Sequence, residues 1–306
     1  MTQTHKNSAR SIPRHRPGPK HALLPMPALC ETAALDRRSG MSGLVAAVPA
    51  AGFYLWAAYR QWQTLSGQAP ANRSQVLTGT MVGALLHLVY LGLAMLGQPQ
   101  INFALFEVGS LIAWVVVLLL LFSSWRKPVD NLLVGLLPIA SLLLLIAAIA
   151  DVQAPLPELS YALTWHILLS ILAYSVFSIA AVQSILLWLQ DRALKARQTR
   201  GLVQALPSLQ TMDALLFEMI WLGMLLLTAA FAIGLPVVWD LKAQHLLHKV
   251  AFASIGWLVF ATLLFGRYRF GWRGIIASRW TLTGTAFLIL SYMGTKFVLE
   301  LLLQQP

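Results

Sequence analysis

Residues 163–182 read LTWHILLSILAYSVFSIAAV, an uncharged run with a histidine near its start. An imidazole in such a run suits three kinds of chemistry: ligation of a metal or haem iron, proton transfer, or a hydrogen bond that packs one helix on another. His166, Ser170, Tyr174 and Ser178 recur every four residues, so on a helix they form one slowly turning polar stripe among Leu, Ile, Val and Phe. An earlier apolar run carries Gly79, Gly83 and His87 on one face, a spacing that lets a neighbouring backbone come close and sets an imidazole at the seam. For His87 and His166 the residues alone leave a packing role and a ligand role open. His245-x-x-His248 has the helical spacing of two metal ligands and brings no third. Lys296 and Glu300 stand four apart, as a helix-face ion pair would, and Glu107 is a further acid for the same pairing. There is no P-loop, G-x-S-x-G, H-E-x-x-H or acidic pair, so the expectation is a protein that is not an enzyme.

The elements that must position these groups follow from composition. Hydrophobic residues make up 58% of the 306-residue chain and charged residues only 11%, against roughly 25% charge in ordinary globular domains. That much apolar surface needs lipid as its solvent. The single cysteine, Cys30, excludes a disulfide within one chain, and no C-x-x-C-H is present for covalent haem attachment. Eight apolar runs have the length of about 20 residues that a helix needs to cross a bilayer, near 42–59, 76–97, 103–123, 131–150, 160–190, 213–235, 246–266 and 281–303. The predicted fold class is therefore all-α, a polytopic membrane protein with eight transmembrane helices. The run at 160–190 is longer than a bilayer requires and predicts tilt or an extension into water at Gln190–Asp191.

Loop charge sets the predicted sides. Twelve Arg and Lys residues, from Arg60 to Arg279, fall in the odd-numbered loops, and Lys242 alone falls in the even ones. Basic loops face the cytoplasm, which puts the N- and C-termini of the bundle in the periplasm. His166, Glu107, Lys249, Lys296 and Glu300 then lie in the outer half, His245 and His248 flank the outer entry to the seventh helix, and His87 sits near mid-depth. The net charge of +11 comes with no nucleic-acid motif, so no nucleic-acid partner is expected. The arginines of GRYRFGWRG read as interfacial anchors beside Tyr268 and Trp272, and Glu218 and Asp213 as a solvated or paired helix end. Residues 1–41 are basic and proline-rich and put positive charge on the wrong side. They read as a disordered or mis-assigned N-terminal extension, with 42–306 as the eight-helix membrane domain.

Three stretches carry a resemblance: HILLSILAYSVFSIAAVQSILLWLQDRALK, HKVAFASIGWLVFATLLFGRYRFGWRG and SYMGTKFVLELLL. In this order and separation they resemble the YpjD-type inner-membrane proteins of Gram-negative bacteria, within the cytochrome c assembly superfamily that also holds the CcsA component of system II haem lyases and the HemX-like proteins. The resemblance covers about residues 42–306. It implies a multi-pass protein of the bacterial inner membrane, surrounded by lipid, that handles haem at an outward-facing site. Implied partners are cytochrome c maturation proteins or apocytochrome c. His166, in H-x7-Y with Tyr174, matches the outer-face haem histidine of the family, and GWRG at 271–274 matches a turn after the next-to-last helix. The chain departs from the haem lyases in having Phe265 or Gly266 where they carry a histidine, in having no histidine after Tyr292, and in reducing the WWD signature to Val238-Trp239-Asp240. By this resemblance haem is the implied cofactor, His166 the first iron ligand, and His87 or His248 the replacement second ligand. Glu107 and Lys296 are candidates for the haem propionates or for each other. Two other readings stay open: a small-solute transporter or accessory permease with a polar outer cavity, and a HemX-like regulator of tetrapyrrole synthesis acting through the basic loops. Intact-mass measurement of the protein from its native membrane is expected to give a chain that begins at Met41; peptides from 1–40 would overturn that.

Overall fold

The computed structural model describes residues 26–68, 70, 72–96, 102–150, 152, 160–197, 206–240 and 244–294, with side chains described from Gly43 onward except at 96, 237–248 and 293–294. The chain divides into two units, Met1–Arg38 and Ser39–Pro306. In the first, the described residues are helical. The architecture below is that of the second.

Among the described residues the structure is helical and forms no β-strand. The helices are α1 (Met26–Leu65), α2 (Arg73–Leu96), α3 (Leu105–Ser124), α4 (Leu133–Ile149), α5 (Tyr161–Lys195), α6 (Leu209–Asp240), α7 (Gln244–Phe270) and α8 (Ile275–Ile289), with a 3-10 turn at Asp130–Leu132 and a π-turn at Leu290–Gly294. The described part of each predicted run falls chiefly on one of them, and residues 97 and 295–303 of those runs lie outside the described residues. Six helices, α2 to α7, are long and apolar enough among the described residues to cross a membrane. α1 is diluted by Gly, Pro, Tyr and Trp, and the described part of α8 is 15 residues long. α5 continues past Gln190 to Lys195, as its length predicts, and its last turn carries an exposed Lys195–Asp191 pair at 2.7 Å.

Small residues bring the helices together where lipid offers no hydrophobic drive of its own. α1 buries Ala47, Ala50, Ala51, Tyr54, Ala57 and Ala58, one face at three- and four-residue spacing. In α5–α8 the centre is a stacked pair, Phe177 and Phe260, with ring centroids 4.1 Å apart. Gly223 of α6 and Gly284 of α8 leave the space these rings fill: a Cβ would lie 2.8 Å from Phe177 at 223 and 2.7 Å from Phe260 at 284. Buried and half-buried polar side chains of one helix reach backbone carbonyls elsewhere in the bundle. Trp114 donates to Ala84 at 2.9 Å, Gln183 to Met212 at 3.0 Å, Gln190 to Pro207 at 2.9 Å, and Tyr174 to Leu288 at 2.9 Å.

One end of the unit is tied by ions. Arg73 pairs with Asp130 at 2.6 Å, Lys127 with Glu218, and Arg267 with Asp213 at 2.8 Å. Asp213 also accepts the backbone N–H of Gly274 at 2.9 Å, while Arg267 lies 4.3 Å over the Phe217 ring and donates to the Trp272 carbonyl at 3.1 Å. The turn between α7 and α8 is thereby fastened to α6. Gly271 and Gly274, at φ +65° and +59°, supply its left-handed corners. Asp213 and Glu218 are thus a paired helix end. Tyr268 is 91% exposed, as an interfacial anchor should be, whereas Trp272 packs over Gly266 and stacks on Trp280 with centroids 5.4 Å apart. Trp272 therefore acts in packing, because Gly266 leaves a bare backbone for its ring to cover.

The stacked phenyls set a steric test. Gly284→Val is expected to destabilise the protein by about 1–3 kcal/mol through over-packing, read as a lower melting temperature in detergent, and pairing it with Phe260→Ala should restore part of the loss.

Candidate functional site

The two membrane histidines occupy different surroundings. His87 of α2 is completely buried. Its Nδ1 lies 3.2 Å from the Tyr54 hydroxyl of α1, and its Nε2 lies 2.9 Å from the Ser110 hydroxyl of α3. Both ring nitrogens are therefore engaged, and the imidazole joins three helices. One turn along α2, the Tyr90 hydroxyl donates to the Glu107 carboxylate, 3.1 and 3.2 Å from its two oxygens. Glu107, at 6% exposure, is held inside the α2–α3 packing. The Gly79–Gly83 stripe beside His87 admits aromatic side chains more than backbone. A Cβ at 79 would lie 2.4 Å from the Trp56 ring and one at 83 would lie 2.7 Å from the Tyr54 ring, with the Ala50 carbonyl 3.3 Å away. The glycine spacing thus places Tyr54 so that its hydroxyl reaches His87.

His166 of α5 is half-buried. Its Nδ1 lies 2.8 Å from the backbone carbonyl of Ala230 on α6. A carbonyl only accepts, so Nδ1 must carry the proton and donate it. In neutral imidazole that leaves the lone pair on Nε2, and Nε2 has no hydrogen-bond partner among the described residues. The ring seats against Gly234, one helical turn beyond Ala230. Farther along the same stripe Tyr174 bonds the Leu288 carbonyl, just before the π-turn, and its ring lies 6.1 Å from that of Tyr292. The Tyr292 ring in turn lies under the Lys249 ammonium at 4.9 Å, and the Ser291 hydroxyl donates to the Lys249 carbonyl at 2.7 Å. Ser178 turns back to the Tyr174 carbonyl of its own helix at 2.8 Å. His166 and Tyr174 therefore face protein as the stripe predicts, and Ser178 satisfies itself locally.

The two histidines share no partner. His87 belongs to the α1–α3 seam and His166 to the α5–α6 seam. The side chains of His245, His248, Lys296, Glu300, Trp239 and Asp240 lie outside the described residues, and so do the ligand and propionate roles suggested for His248 and Lys296. Glu107 is engaged by Tyr90. Among the described residues no three His, Cys, Asp or Glu side chains gather into a metal-ion cluster. An apolar groove of about 320 Å³ between α2 and α3, lined in part by Met81, Leu118, Phe122 and Trp125, contains no histidine. For iron the test is the donor atom. His166 keeps a nitrogen with no hydrogen-bond partner among the described residues, which could serve as a ligand, whereas His87, as bonded, would have to give up Tyr54 or Ser110 first.

Sequence reasoning missed Tyr54, Ser110, Ala230 and Gly234. The small-residue pair Ala230 and Gly234, four apart, was the available signal for the last two. Tyr54 and Ser110 carry no local pattern that links them to His87.

Comparison with known proteins agrees with this architecture. The family model described as "Cytochrome C assembly protein" matches residues 76–303. The chain is 26% identical over 237 residues to the inner membrane protein YpjD of Escherichia coli K12, a match covering 75% of this chain and 88% of that protein. It is 28% identical over 199 residues to protein HemX of Brevibacillus brevis, covering 62% and 72% of the two chains. It is 32% identical over 143 residues to an uncharacterized 28.8 kDa protein of Azospirillum brasilense, covering 45% and 52%. No solved structure matches the chain. With the apolar helices, these similarities make it a multi-pass inner-membrane protein. From α2 to beyond the π-turn, the chain belongs to the cytochrome c assembly protein family.

Proposed function

We propose that the protein is an eight-span, non-catalytic component of cytochrome c assembly that holds haem at the periplasm-facing half of its bundle, where Nε2 of His166 would hold the iron. The observation that carries this reading is the hydrogen bond from His166 Nδ1–H to the Ala230 carbonyl, which orients the ring and leaves the other nitrogen for iron. Bound haem would supply a redox-active iron and a flat macrocycle for delivery. The chain's own part is to fix the imidazole and exclude the acyl chains from it. His87 is assigned to packing: its two bonds are each worth only about 0.6 kcal/mol in a membrane, but removing a partner leaves a polar nitrogen in an apolar interior. Cytochrome c maturation proteins or apocytochrome c are the partners this reading requires.

The orientation belongs to the same proposal. The ion pairs Arg73–Asp130, Lys127–Glu218 and Arg267–Asp213 bring the first, third, fifth and seventh loops to one end, and that end carries the basic excess. By the loop-charge rule it is cytoplasmic, which leaves His166 near the opposite face.

Two measurements check this. In a Cys30→Ser background, a membrane-impermeant maleimide is expected to label Val152→Cys in intact spheroplasts and to reach Arg126→Cys or Arg197→Cys only after permeabilisation; the reverse pattern inverts the topology. Protein purified from its native membrane, or titrated with haem in detergent, is expected to show a shifted Soret band that His166→Ala abolishes and His87→Phe retains in whatever fraction folds. No Soret shift, or one untouched by His166→Ala, overturns the haem assignment.

A further inference from the structure

The site contains a residue with no side chain whose absence is the feature that matters. We infer that Gly234 is a positioning residue for His166: its bare Cα lets the imidazole reach the Ala230 carbonyl and so selects which ring nitrogen is offered to a ligand. The consequence for haem rests on the reading of His166 as the iron ligand; the selection of the nitrogen does not.

The argument is geometric. In an α-helix the carbonyl of residue i points along the axis toward the N–H of residue i+4, so the Ala230 oxygen and the Gly234 Cα lie together on one face of α6. A side chain approaching that oxygen from α5 must pass over position 234. His166 does so, with Nδ1 2.8 Å from the oxygen. A Cβ at 234 would lie 2.4 Å from Nδ1, 2.6 Å from Cε1 and 3.2 Å from Cγ, well inside the roughly 3.5–4.0 Å at which non-bonded heavy atoms sit comfortably. These are ring atoms close to a backbone attachment and not the far end of a flexible chain. Any L-side chain at 234 therefore displaces the ring and breaks the bond to Ala230. Nε2 is not among the ring atoms nearest position 234, so the nitrogen left with the lone pair is on the edge turned away from this contact. Gly234 and the Ala230 carbonyl act as one fitting, in which the glycine admits the ring and the carbonyl fixes its tautomer.

Gly234 contrasts with the glycines at 223 and 284, which accommodate phenyl rings and carry no such choice. A purely structural role for Gly234 would move stability. It would not move the proton between the ring nitrogens.

The test reads the tautomer directly. In protein labelled with ¹⁵N-histidine, long-range ¹H–¹⁵N correlation in detergent, with His166 assigned by its loss in His166→Gln, is expected to show a protonated Nδ1 and an unprotonated Nε2. Gly234→Ala at the same pH is expected to lose that pattern and to weaken haem binding by about 10- to 100-fold. An unchanged tautomer in Gly234→Ala overturns the inference. A changed tautomer with no haem bound to any form, the unsubstituted protein included, upholds the positioning role and overturns the haem reading alone. Should Gly234→Ala fail to fold, the double variant Gly234→Ala with His166→Ala decides: removing the ring relieves the clash and is expected to restore folding to the level of His166→Ala alone, and failure to do so overturns the inference.

Discussion

Hydrocarbon cannot accept or donate a hydrogen bond, and among the described residues the polar side chains that bridge the spans are placed by that fact. Exposure of such a group to lipid costs several kcal/mol, whereas an interhelical hydrogen bond returns only about 0.6 kcal/mol. The asymmetry means that polar residues here do little to pull helices together and much to forbid the wrong neighbours. Trp114, Gln183 and Tyr174 each find a backbone carbonyl on another helix, and Gln190 finds that of Pro207 just before α6. His166 follows the same rule, and its importance lies in a feature the others lack, a second nitrogen.

The two imidazoles show how one residue type divides into two roles through its partners. Around His87, hydroxyls from α1 and α3 take both nitrogens. Such a ring is a three-helix rivet, sealed from solvent and from ligands alike. Around His166 a single acceptor takes one nitrogen and dictates its proton. The ring is half-buried, and its other nitrogen has no hydrogen-bond partner among the described residues.

The ends of the unit differ in the same physical terms. At the basic end, where water is near, Arg and Lys find Asp and Glu across helices, and a carboxylate at 213 serves a guanidinium and a backbone N–H together. That fastening fixes the turn after α7 and, through α6, the register of the helix that presents Ala230 and Gly234. At the other half, among the described residues, the Glu107 carboxylate accepts from Tyr90 and Lys249 lies over the Tyr292 ring.

Much of the architecture was written in the chain itself. Apolar runs of bilayer length located the six helices that are long and apolar enough to span among the described residues, because a span in lipid must satisfy its own backbone and so declares itself over about 20 residues. The alternating loop charge anticipated which ends gather, and four-residue spacing marked His166 and Tyr174 as facing protein. What the chain could not declare was the partner of each polar group, since Tyr54, Ser110, Ala230 and Gly234 lie 23 to 68 residues from the histidines they serve. The residues alone left a packing role and a ligand role open for both histidines, and the family resemblance put His166 first. Only the packing of α1, α2 and α3 around one ring, and of α6 against the other, decided that both nitrogens of His87 are hydrogen-bonded and that Nδ1 alone of His166 is, among the described residues, because the partners of a ring nitrogen are set by contacts that form after the helices meet.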